Sequence, residues 1–208
     1  HTLLTFNQQC INRMAVGSIL GITEPFSKYK QLVDPHQIIY IGLRDIDDTE
    51  LEILNTLGIL HFTMKKVTSF GTKNLMKSID DIIGNNPVHL SISLKAMDPT
   101  IAPSVTTKYD NGLQFGDLEI ICNTLKTKLV SMDLVEFDAS VGTSKDIKIT
   151  GELCKKILMN VLDIKKKSLN IFNEDSEFLI YRPLEMKDTD TDLGWYIVRG
   201  MDIDDKKT

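Results

Sequence analysis

Apolar residues along this chain follow two spacings in turn. His36-Gln-Ile-Ile-Tyr-Ile-Gly-Leu43 is a compact β-branched run, long enough for a buried strand and too short for a helix. The polar Arg44-Asp-Ile-Asp-Asp-Thr49 that follows suits a strand end and a helix cap. Leu51, Ile53, Leu54 and Leu57 then recur at helical spacing, and Gly58 stops the helix. Leu60–Met64 reads as the next strand. Leu75, Met76, Ile79, Ile82 and Ile83 form a second helical face, ended by Gly84-Asn-Asn-Pro87, and Val88–Leu94 reads as a strand. Pro99 to Gly112 is expected to be a long loop, Leu118–Leu129 a helix, Val130–Phe137 a strand and Glu152–Ile164 a helix. That helix closes on Lys165-Lys-Lys167, whose charges suit the carbonyls and dipole of a helix C terminus. Before Pro35 the pattern offers one short helix around Met14–Leu20. Beyond Ser168 the alternation fades, leaving two runs of strand length, Phe178–Tyr181 and Trp195–Val198.

Strand–helix–strand repetition predicts an α/β fold, with right-handed crossovers and a mostly parallel sheet covered by helices on both faces. Function in such sheets collects at the carboxyl ends of the strands. Here those ends are Arg44–Asp47, Ser93–Asp98 and Glu136–Asp138. The expected organisation is one α/β domain over residues 1–167 and an extension over 168–208, with no internal repeat. Tyr181 and Trp195 are expected to dock that extension on the domain or on a neighbouring subunit.

Composition narrows the function classes. With 208 residues, 42% hydrophobic and 25% charged, the chain is ordinary globular protein, neither disordered nor disulfide-dense. Lys and Arg number 24 against 29 Asp and Glu, a net charge of −5, and no dense basic block is present, which argues against tracking nucleic-acid phosphates. No apolar run approaches the roughly 18–20 residues of a membrane span. The three cysteines, Cys10, Cys122 and Cys154, have no CxxC spacing. They are expected to be quiet free thiols in the cytoplasm or another reducing compartment, with cross-linking between subunits as the alternative. The first residue is His1, without a basic region and apolar core after it, so the opening is read as part of a longer or processed chain and not as a secretory signal.

Three stretches carry a resemblance. Tyr40-Ile-Gly-Leu-Arg-Asp-Ile-Asp47 with Ile53-Leu-Asn-Thr-Leu-Gly-Ile59 is the first. Pro87-Val-His-Leu-Ser91, Met97-Asp-Pro-Thr-Ile-Ala-Pro103 and Asn111-Gly-Leu113 form the second, and Ser131-Met-Asp-Leu-Val-Glu-Phe-Asp138 the third. In order and spacing they resemble the arginase (ureohydrolase) family from about Asn7 to about Ile164. The resemblance implies a three-layer α/β/α fold with a mostly parallel sheet, of which this chain is expected to hold the C-terminal half or more. It also implies a homotrimer, and the hydrolysis of arginine to ornithine and urea by a hydroxide bridging two manganese ions.

Two departures stand out. Where the family's strand ends in Asp-x-Asp-x-x-Asp-Pro, this chain reads Ser93-Leu-Lys95-Ala-Met-Asp98-Pro. Hard dications want anionic oxygen ligands. Two unit charges about 4 Å apart interact by about 4 kcal/mol at an effective dielectric of about 20, so an ammonium facing a dication meets roughly twice that in repulsion. The manganese pair is therefore expected to be lost. The proton-shuttling histidine of the family corresponds to Asn12, which does not titrate near neutrality. The family's Gly-Gly-Asp-His and Asp-Ala-His-x-Asp segments do not occur in these 208 residues; in the family they precede the stretch that this chain matches.

Substrate positions match better. By resemblance, Glu136 takes the place of the glutamate that holds the guanidinium, and Asp47 that of the aspartate ordering the α-amino group. Glu50 and Thr107 match an acidic neighbour and a nearby threonine. A guanidino or amino-acid ligand at Asp47 and Glu136 is one reading. The others are that Asp47 only caps a helix and that Glu136, expected to be buried, pairs with Lys95, replacing the cluster electrostatically and closing the site. The expected function is an arginase-like scaffold without catalysis, binding a ligand or an active paralogue. The alternative is a working hydrolase completed by N-terminal residues. His89 reads as a hydrogen-bonded core histidine, and His36 and His61 as strand-edge residues. Asp188-Thr-Asp-Thr-Asp192 resembles the start of a calcium loop, but Leu193 and Arg199 stand where an EF-hand needs Gly and Glu.

Overall fold

The structure, a computed structural model, describes residues 15–21 and 32–161. Cys10, Asn12, the lysines at 165–167 and the whole 168–208 extension, with its two apolar runs, lie outside the described residues.

A short helix, α1 (Ala15–Ile19), is followed by strand β1 (Ile39–Leu43), helix α2 (Asp48–Thr56) and strand β2 (Leu60–Thr63). Helices α3 (Met64–Phe70) and α4 (Thr72–Ile83) lead to β3 (Val88–Ser93), and α5 (Phe115–Leu125) leads to β4 (Leu129–Val135) and α6 (Ser144–Val161). β1 and β2 pair in parallel, with Ile39 opposite Leu60 and Ile41 opposite Phe62. β3 and β4 also pair in parallel, with His89 opposite Ser131, Ser91 opposite Asp133 and Ser93 opposite Val135. Among the described residues the strands thus form two hydrogen-bonded parallel pairs.

Helices α2, α3 and α6 begin where a polar side chain meets a free backbone N–H. Asp47 caps α2, accepting the Glu50 N–H at 2.8 Å. Thr63 caps α3 in the same way. Thr143 and Asp146 bond reciprocally at the start of α6, the Asp146 carboxylate accepting both the N–H and the hydroxyl of Thr143 at 2.8 Å. The core gathers around Met76 and Ile79 of α4, Leu94 and Met97 after β3, and Ile157 of α6, all almost fully buried. α5 packs against both α4 and α6. No described helix is long and apolar enough to cross a membrane.

The boundaries depart from the sequence pattern in places. Asp34 and Pro35 start a 3-10 turn over Pro35–Gln37, so the first strand is shorter than His36–Leu43, and His36 lies in a turn against Asp34 instead of at a strand edge. α3 has a single buried residue, Val67, hence no apolar stripe to betray it. α5 ends at Leu125, four residues before the expected Leu129, and α6 begins at Ser144 instead of Glu152. β3 and β4 turn Leu90, Ile92, Met132 and Leu134 to the core and His89, Ser91 and Ser131 outward. His89 is therefore hydrogen-bonded, as expected, but on an exposed face and not in the core. Its ring contacts the Ser131 hydroxyl at 2.8 Å and the Asp133 carboxylate at 3.1 Å.

Candidate functional site

Parallel pairing brings the carboxyl ends of neighbouring strands to one side. Ser93 closes β3 opposite Val135, which closes β4, so the next residues of each chain segment emerge side by side. A 3-10 turn, Leu94–Ala96, follows β3 and buries Leu94, leaving Lys95 half exposed. One residue beyond β4, Glu136 takes φ +74°, a left-handed conformation that residues other than glycine seldom hold. The two side chains meet: Lys95 Nζ lies 2.7 Å from Glu136 Oε2. At 39% exposure, Glu136 is not the buried carboxylate expected from its strand-end position, because β4 stops one residue earlier and the chain turns outward.

Arg44, just past β1, ties this end of the molecule together. Its guanidinium donates to the carbonyl oxygens of Lys95 and Tyr109 and lies 5.9 Å over the Tyr109 ring. The Tyr109 hydroxyl in turn donates to Asp45 at 2.5 Å. Asp98 organises the loop that delivers Tyr109. One of its carboxylate oxygens accepts the Thr100 N–H at 3.0 Å and hydroxyl at 2.6 Å, and the other accepts the Gly112 N–H at 3.1 Å. These donors, the Thr100 hydroxyl first, hold the Asp98 carboxyl below its ordinary value. Gly112 is pressed so close that a β-carbon would come within 2.4 Å of the backbone of Met97 and Asp98.

Of the ligand positions expected from the sequence, Glu136 is paired with Lys95, while Asp47 is occupied with the cap of α2. Glu50 is half-buried one turn into that helix, and Thr107 is half-buried in the loop after β3. The pattern of apolar residues did not single out Tyr109 or Gly112. The signal was there in Asn111-Gly112, where Asn111 takes φ +59° ahead of the glycine.

The donor chemistry also tests a divalent metal. Ser93 offers one neutral hydroxyl, and Lys95 brings an ammonium already engaged by Glu136. Among the described residues, no group of three or more His, Cys, Asp or Glu side chains is placed to hold a metal ion. The residues present at this place do not suit a pair of hard dications.

Comparison with known proteins adds a family pattern. The model of the arginase family matches residues 13–163. An arginase of Glaciozyma antarctica is 33% identical over 138 residues, covering 64% of this chain and 40% of its own. The mitochondrial arginase-2 of Homo sapiens is 34% identical over 139 residues, with 64% and 39% covered. Among solved structures, an arginase of Bacillus subtilis superposes with a TM-score of 0.73 at 23% identity, over 80% of this chain and 59% of that one. An Entamoeba histolytica arginase in complex with L-ornithine gives 0.71 at 24% identity, over 79% and 56%. Such likeness establishes the arginase-type α/β fold. The chain spans about 40% of the length of the two curated relatives named here.

Proposed function

The chain belongs to the arginase family, and from that premise we propose that it is an arginase-like member that holds no manganese pair, does not hydrolyse arginine, and serves as a binding or regulatory scaffold. The observation that carries this reading is Ser93 and Lys95 at the end of β3, with the Lys95 ammonium drawn to Glu136. In a manganese-loaded relative the metals supply an activated hydroxide. Here Ser93 offers only a neutral hydroxyl and the Lys95 ammonium is paired with Glu136, so the end of β3 presents no pair of carboxylates to gather dications. What remains is recognition: Glu136 faces a cation, and Asp47, Glu50 and Thr107 are the other positions where a guanidino or amino-acid ligand would be met. The same reading holds the chain to be a homotrimer, alone or with an active paralogue, without nucleic-acid or membrane partners. It places the chain in the cytoplasm or another reducing compartment.

Metal analysis and a urea assay on protein incubated with manganese test it. No bound manganese and no urea are expected; a stoichiometric manganese content overturns it. A second reading draws on Asp98 and Glu136 and on the short span of the chain against its relatives. In it, residues beyond this sequence complete a working ureohydrolase, and a longer polypeptide releases urea from arginine or another guanidino compound.

A further inference from the structure

We propose that Glu136 is a seat for an organic cation whose built-in occupant is Lys95, so that a guanidinium or primary ammonium ligand binds only by displacing the chain's own ammonium. The inference rests on the metal-free reading above, since a dication beside Ser93 would repel Lys95 from this place.

The geometry of one ion pair, the backbones that hold it and its exposure together carry it. The ion pair itself is short, 2.7 Å, and joins residues that emerge from two neighbouring parallel strands. Both partners are held by their backbones. Arg44 grips the Lys95 carbonyl, and Glu136 sits at φ +74°, a costly conformation that clusters at ligand sites and persists only where the surroundings impose it. The turn at Glu136 aims its carboxylate across the strand ends, where Lys95 meets it. Finally, the pair is open to solutes, with the Lys95 and Glu136 side chains 30% and 39% exposed. A buried pair would be a locked structural element, whereas an exposed one is a weak contact that a competing cation can replace. Pairs of this exposure are worth up to about 1 kcal/mol, which converts to about fivefold in the affinity of a competitor.

A structural pair and an occupied seat predict different binding. Calorimetric titration with agmatine is to be run on the wild-type chain, on Lys95→Met and on the double variant Lys95→Met, Glu136→Gln. Lys95→Met is expected to bind agmatine more tightly than wild type, by up to about fivefold, and the gain is expected to vanish in the double variant. Equal affinity in wild type and Lys95→Met, including no binding in either, overturns the proposal, as does a gain that survives Glu136→Gln. Should Lys95→Met fail to fold, NMR of the wild-type lysine side chains serves instead. Agmatine is expected to move the Lys95 ε-methylene resonance toward that of a free lysine, and an unmoved resonance overturns the proposal. Manganese found in the wild-type chain would defeat the metal-free reading, whereas a metal-free chain with an unchanged agmatine affinity would defeat the occupied seat alone.

Discussion

Gly112 shows how one missing atom shapes the strand-end region. A methyl group at that position would stand 2.4 Å from the Asp98 nitrogen and the Met97 carbonyl carbon, and 2.5 Å from the Arg44 guanidinium. The side chain of Arg44 can swing away, but the backbone at Met97 and Asp98 cannot yield without breaking the bridge in which Asp98 N–H donates to the Leu113 carbonyl at 3.0 Å. Gly112→Ala is therefore expected to cost about 1–3 kcal/mol, as overpacking does, read as a lower midpoint in urea denaturation. Asn111→Gly, which removes only a side chain already at φ +59°, is the matched control and is expected to leave the midpoint equal or higher. At this scale the sequence was legible where chemistry names a residue type: Asp98 before Pro99, Asp47 before a helix, Lys95 where a carboxylate is usual in the family. It was only half legible where the constraint is close approach: Asn111-Gly112 marks a turn, but not that the backbone of Met97 and Asp98 passes against it.

An apolar stripe makes an element legible in the sequence; a cap or a polar tether marks one far less plainly. α4, with Leu75, Met76 and Ile79 buried on one face, was evident from spacing alone. The first two turns of α6 lie outside the apolar pattern, because Ser144 to Ile149 shows no such stripe. Their signal was the pairing of Thr143 with Asp146, three residues apart, that starts the helix. Thr150 then locks α6 to the loop after β3. Its buried hydroxyl accepts the Ser104 N–H at 2.9 Å and donates to the Asp146 carbonyl at 3.0 Å. Thr150→Val keeps the shape and removes the acceptor, so a buried N–H is left unpaired. The expected loss is about 1–3 kcal/mol in the unfolding free energy, with Thr150→Ser close to wild type. A Thr150→Val chain as stable as the parent would show that the loop is held by packing instead.

For the molecule as a whole, titration sets the range over which the fold is stable. Hydrogen bonds from Thr100, Ser140 and Thr143 respectively hold the carboxyls of Asp98, Asp138 and Asp146 below the ordinary 3.8. Their contribution is present above that pH and is lost as the pH falls through the lower folded values. At the other end, burial pushes the Cys122 and Cys154 thiols from 9.0 up to about 11, and the Tyr40 phenol from 10.0 to about 12. The folded chain keeps protons there that the unfolded chain gives up, so stability is complete below pH 9 and declines as the pH rises toward 11 and beyond. Urea midpoints measured across pH are expected to form a plateau from about pH 4 to about pH 9. Replacing both thiols with alanine should flatten the first part of the alkaline decline; a decline unchanged in that variant would remove burial of the thiols as its cause. The α/β class was legible in the sequence because strand–helix alternation is a property of the whole chain. The splitting of the strands into two parallel pairs was not, because hydrophobic runs do not say which strands are neighbours.

Arg44 carries a consequence beyond the contacts it makes. Its one guanidinium grips carbonyls from two segments some fifty and sixty-five positions further along the chain, and the hydroxyl of the second is held by the neighbouring Asp45. The end of β1, the turn after β3 and the loop that carries Tyr109 are remote in sequence but share these bonds, so they are expected to loosen together. Whatever opens the loop around Tyr109 also frees the turn that presents Lys95, and the rim of this molecule should breathe as one cooperative unit.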